Sequence, residues 1–151
     1  MSMWNQLRNR AVDMTAQLKT KTGQFKNKEF ANGAMAMCAL IAAADGSIDN
    51  AERATMSGLI TSNEALKVFP AAELTQKFDF YASKLQSNFQ FGKLEATQTI
   101  AKLKSKPDQA RAVIQIGIII GGADGFFDDH EKAAVREACH TLGIPPQEFD
   151  L

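Results

Sequence analysis

A chain of 151 residues with 17 basic and 17 acidic side chains has no overall charge to draw it to nucleic acid or to an anionic membrane. That length favours one domain over residues 1–151, large enough to bury roughly 68–70% of its unfolded surface and to fold without disulfide or metal staples. The charge is nevertheless uneven: residues 1–30 carry six basic against two acidic side chains and residues 121–151 seven acidic against two basic, a dipole along the sequence that would steer partners of opposite charge to opposite ends.

In chain order, Trp4, Leu7, Ala11, Met14 and Leu18 recur at spacings of three and four, which predicts an amphipathic helix over about 3–20. It is expected as an N-terminal arm over residues 1–22. Its narrow apolar stripe, with Asp13 among the basic residues, favours packing on a bundle over lying on a membrane. The first apolar run is short and broken by Arg8 and Arg10, so no secretory signal is expected. Cys38 and Cys139 show no CxxC or Cys/His spacing and read as buried thiols, which places the chain in the cytoplasm.

A polar connection over 22–27 precedes a helix expected over 28–44, apolar nearly all round as a central core element must be. Met35 and Met37 within it read as gap-fillers. A third helix is expected over about 50–60, and Ser62 is placed to cap a short helix ending near Phe69. Leu74, Phe78, Tyr81, Leu85 and Phe89 predict a long amphipathic helix, and Leu94, Ile100 and Leu103 a shorter one. Ser105, Pro107 and Asp108 together form a helix start signal, with Ser105 as the cap. The β-branched run from Val113 to Ile120 favours a strand by propensity. It is assigned to a helix because it falls on residues 28–44 under an internal repeat, and its 14-residue apolar tract is too short to span a membrane. The last major helix runs from Asp129 to about Thr141, ended by Gly143.

That repeat is the most informative feature of the chain. Asp45-Gly46-Ser47-Ile48-Asp49-Asn50-Ala51-Glu52 returns 79 residues later as Asp124-Gly125-Phe126-Phe127-Asp128-Asp129-His130-Glu131. Glycine after the first aspartate suits a helix end, where positive φ lets the chain reverse. Asp49 with Glu52, and Asp128 with Glu131, have capping-box spacing, each carboxylate meeting backbone N–H groups of the coming helix. Capping therefore accounts for two of the three shared carboxylates. The first, Asp45 or Asp124, follows a helix C-terminus, where the macrodipole disfavours negative charge, so a basic side chain or a bound cation is expected beside it.

Hard divalent cations take oxygen ligands, and these turns supply several. The motif is not an EF-hand, which requires glycine at the sixth position and a bidentate glutamate at the twelfth; here glycine is second and Met56 and Val135 are twelfth. If the two helix–turn–helix units pack about a pseudo-two-fold axis, the turns meet at one end of the bundle. The candidate metal ligands are then Asp45, Asp49, Glu52, Asp124, Asp128, Asp129 and Glu131. Carboxylates favour Ca²⁺, Mg²⁺ or Mn²⁺, and His130 admits Zn²⁺. The competing reading is a metal-free acidic scaffold that docks a basic or membrane-associated partner.

An enzyme is the weakest reading. His130 has Ala51 as its counterpart, and no Ser/His/Asp arrangement, phosphate-cradling loop or reactive-cysteine motif is present.

The two motifs in context, Ile41 to Glu52 and Gly121 to Glu131, resemble the TerB-like tellurite-resistance family, and the similarity extends over nearly the whole chain. The resemblance implies an all-α bundle of about seven helices and a place in a bacterial operon for resistance to tellurite and related stresses. It also implies a metal-linked role beside other tellurite-resistance proteins, among them membrane-embedded and calcium-binding ones, at the inner face of the cytoplasmic membrane. No catalytic activity and no nucleic-acid partner are implied.

Overall fold

The computed structural model describes residues 25–123 and 127–151; the expected N-terminal arm lies outside the described residues, as does Asp124. Six α-helices occur among them: α1 (Lys28–Ala42), α2 (Asn50–Ser62), α3 (Ala71–Ser87), α4 (Phe89–Ala101), α5 (Pro107–Gly121) and α6 (Asp129–Leu142). Two 3-10 turns, Glu64–Leu66 and Pro146–Phe149, complete the order, and no strand appears among the described residues. The expected count of about seven included the arm.

The repeat is kept in three dimensions. Both ends of α5 lie 79 residues after the matching ends of α1, so the β-branched run of α5 is helical despite its propensity. Burial explains why: Val113, Ile114, Ile116, Ile118 and Ile120 are all buried, and the area they remove from water outweighs a propensity penalty of a few tenths of a kcal/mol per residue. α1 is the central helix, packed against α5, α4 and α3. Its small residues allow this approach, and so does Gly117 opposite, where a Cβ would stand 2.8 Å from Met37 Cγ.

Local capping differs from expectation at three places. Ser62 caps nothing; its hydroxyl donates back to the Leu59 carbonyl, and Asn63 instead accepts from the Ala65 N–H, so the expected short helix is a single 3-10 turn. Lys106, not Ser105, is the residue before α5, and Pro107 occupies the first helical position with no side-chain cap. The chain also breaks at Asn88, whose extended backbone ends α3 and whose side chain accepts from the Phe91 N–H to start α4, placing Phe89 in the second helix.

α4 also turns differently from the sequence expectation. Leu94 is 55% exposed, and the buried face is Gly92, Ala96 and Ile100. The tight α3–α4 hairpin selects small residues there: a Cβ on Gly92 would lie 2.7 Å from the Leu85 backbone nitrogen.

Candidate functional site

Each acidic turn is built from local interactions. α1 ends at Ala42, and four residues on the chain reverses through Gly46 at φ +103°, a conformation that glycine adopts without strain. Asp45 sits in this reversal, and its Oδ1 accepts the Ser47 N–H at 3.2 Å. The repeated first aspartate thus has a structural task in the first turn, closing a local side-chain turn, besides any role toward a cation.

Both capping boxes are formed. Asp49 Oδ1 accepts from the Glu52 N–H at 2.7 Å and Glu52 Oε1 accepts from the Asp49 N–H at 3.0 Å. Asp128 and Glu131 repeat the pattern at 2.8 and 3.2 Å. Immediately before each cap stands a buried apolar side chain, Ile48 in one turn and Phe127 in the other, which pins the turn to the core. The motif shows this pair as a matched apolar position, a signal that charge-centred reading passes over.

The first turn has a further brace. Gln86 on α3 donates to the Ile48 carbonyl at 3.0 Å and to Asn50 Oδ1 at 3.2 Å, while Arg53 donates to Gln86 Oε1 at 2.6 Å and to Asp79 at 3.1 Å. Nothing in the local sequence signals these long-range partners. Since Arg53 is engaged with α3, it does not neutralise the turn beside it.

The two turns do come together. Asp45, Asp49 and Glu52 from the first and Asp128 and Glu131 from the second line one cavity of about 320 Å³, floored by Ile41, Met56, Leu59 and Ile120. Asp129 is exposed outside this lining. Among the described residues, none of Asp45, Asp49, Glu52 and Asp128, which line the cavity, makes an ion pair.

The donor set is all oxygen, the chemistry of a hard cation. The carboxylates are not preassembled, however: among the described residues no three His, Cys, Asp or Glu side chains converge as a metal site. One oxygen of each capping carboxylate is committed to the backbone, so in Asp49, Glu52 and Asp128 the second oxygen is the one left to meet a cation. His130 is elsewhere; it lines a separate cavity of about 210 Å³ with Leu40, Phe89, Lys93 and Glu137.

Two helix–turn–helix units with paired capping boxes, closed on one acidic cavity, occupy the part of the chain that matches a known family. Residues 31–151 match the family described as Tellurite resistance protein TerB. The chain belongs to the TerB family. It is similar to the tellurium resistance protein TerB of an Alcaligenes species, with 31% identity over 118 residues that cover 78% of this chain and 97% of that relative. No solved structure matches the chain. Both acidic turns and all six helices, apart from the first three residues of α1, lie within the TerB match.

The two cysteines are core thiols. Burial pushes Cys38 up to about 12, and burial together with the negative charge of Glu148 pushes Cys139 up to about 11, so neither is a thiolate available to a soft metal near neutral pH. No helix among the described residues is long and apolar enough to cross a membrane.

Proposed function

We propose that this TerB-family protein serves in tellurite resistance as a non-enzymatic module whose two acidic turns together bind a divalent cation. Family membership supports the tellurite-resistance role. The observation that supports the cation is the single cavity lined by carboxylates from both turns, four of them without an ion pair among the described residues. Like charges that line one cavity repel, and a bound cation would relieve the repulsion. Ligand oxygens from two separate helix pairs would let the cation tie the halves of the repeat together and change what the surface presents to a partner.

Tellurite, itself an anion, is repelled by the same cavity, so protection is indirect. Calorimetric titration of chelator-treated protein with Ca²⁺, Mg²⁺, Mn²⁺ and Zn²⁺ tests the reading. Saturable binding of any one, near one cation per chain, supports it; heat of dilution alone for all four rejects it.

The absence of a preassembled carboxylate triad among the described residues favours a second reading, a metal-free scaffold that docks a basic or membrane-associated partner on the acidic end. The two part on the same titration.

A further inference from the structure

The end of the bundle remote from the acidic turns presents two lysines and one glutamate around a second polar cavity. α1 spans about 22 Å, at 1.5 Å per residue, from Lys28 and Glu29 in its first turn to the acidic cavity at its last. At its start, Lys28, Glu29 and Asn32 join Tyr81 of α3 and Thr99 and Lys102 at the end of α4 around a polar cavity of about 230 Å³.

The hydrogen bonds in this cavity sort its groups by sign. Lys77 Nζ donates to Asn32 Oδ1 at 2.7 Å, which occupies the amide oxygen and leaves the Nδ2 donor available. Tyr81 donates to Thr99 Oγ1 at 3.0 Å and Thr99 to the Glu95 carbonyl at 3.1 Å, so both hydroxyl protons are spent in holding the wall. Glu29, the carboxylate among the lining residues, is neutralised by Lys106 at 3.2 Å. Lys28 and Lys102 make no ion pair among the described residues. What remains uncommitted is two ammonium groups and an amide N–H, with the Lys77 ammonium adjacent.

We propose that this cavity binds a phosphate group. A surplus of ammonium charge favours a dianion over a carboxylate, and lysines bind phosphate as point charges without the fork geometry that arginine imposes. The volume exceeds several times the roughly 30 Å³ share of a water molecule, which leaves room for a tetrahedral oxyanion. The site is independent of the proposed cation cavity.

The test has two arms, both on the full chain. In the first, amide NMR spectra are followed while inorganic phosphate replaces chloride at constant ionic strength into the millimolar range, so that general screening is held fixed. In the second, sedimentation measures binding to vesicles of phosphatidylcholine with and without phosphatidic acid. A saturable shift of the Asn32 side-chain amide and of residues 28–32, weakened at least roughly tenfold by the paired change Lys28→Gln and Lys102→Gln, supports the site and a soluble phosphate. Sedimentation with phosphatidic acid that is lost in the same double variant supports the site and assigns the phosphate to a lipid headgroup. Lys67→Gln, at a lysine paired with Glu64 away from the cavity, is expected to leave both readouts unchanged. No response in either arm, or a response that the double variant retains, overturns the proposal.

Discussion

Asp49 and Asp128 stand 79 residues apart in the chain and line the same cavity. Each caps a helix through one carboxylate oxygen, at 2.7 and 2.8 Å. Capping and cation binding are therefore compatible demands on one side chain, because they use different oxygens. The repeat supplies two such residues, and the packing of α1 against α5 brings them to one end of the bundle.

Asp45→Asn separates charge from geometry in the first turn. Asparagine keeps the Oδ1 that accepts the Ser47 N–H, so helicity and melting temperature are expected to match the parent in chelator. Divalent affinity is expected to fall at least roughly tenfold, about 1.4 kcal/mol, measured by calorimetry. An unchanged dissociation constant would remove Asp45 from the ligand set.

Gly92 and Gly58 are expected to respond to alanine with opposite signs. At Gly92 the new Cβ meets the backbone of Lys84 and Leu85 at 2.7 to 2.9 Å, which cannot swing aside, so Gly92→Ala should cost about 1–3 kcal/mol. Gly58 lies in α2 with nothing within 4 Å of such a Cβ, and Gly58→Ala should stabilise by up to about 1 kcal/mol. Thermal denaturation reads both, at about 2–4 °C per kcal/mol for a chain of this size.

What the sequence revealed follows the range of the interactions concerned. The Asp-x-x-Glu spacing is a contact between neighbours in the chain, so both capping boxes were legible. The helical assignment of α5 was legible only through its alignment with α1, since its isoleucines alone argue for a strand. The break at Asn88 was masked by an aromatic pattern that runs through it from Phe78 to Phe89. The outward turn of Leu94 depends on how closely α3 approaches Gly92, and the brace from Gln86 and Arg53 joins residues 26 to 38 positions apart in the chain; neither leaves a local trace.

The core thiols predict a decline in stability at alkaline pH. Cys38 ionises near 9.0 when unfolded and is pushed by burial to about 12 when folded. Above pH 9 the unfolded chain therefore sheds a proton that the native state keeps. Stability is fully present below that pH and falls as pH rises, by about 1.4 kcal/mol per unit for this thiol, until the folded value is passed. Cys38→Ala removes this contribution, so its melting temperature should fall less steeply than the parent's between pH 9 and 11. Parallel slopes would show that Cys38 is not protected by the core.

Asp128→Asn sets capping against binding at the second turn. As a cap, Asp128 contributes about 0.5–2 kcal/mol through an acceptor oxygen that asparagine also has, so thermal stability in chelator should be nearly preserved. As a ligand it needs its negative charge. A cation bound only to the native state raises the melting temperature by mass action, and this rise should vanish in the variant. In the parent the rise is expected to be modest, because an apolar core of the size built on α1 and α5 should fold without a metal. Asp128→Ala, which lacks the acceptor as well, should lower the melting temperature in chelator too. A parent protein whose melting temperature ignores every divalent cation at millimolar concentration would exclude strong coupling between metal and fold, leaving the acidic end as a docking surface.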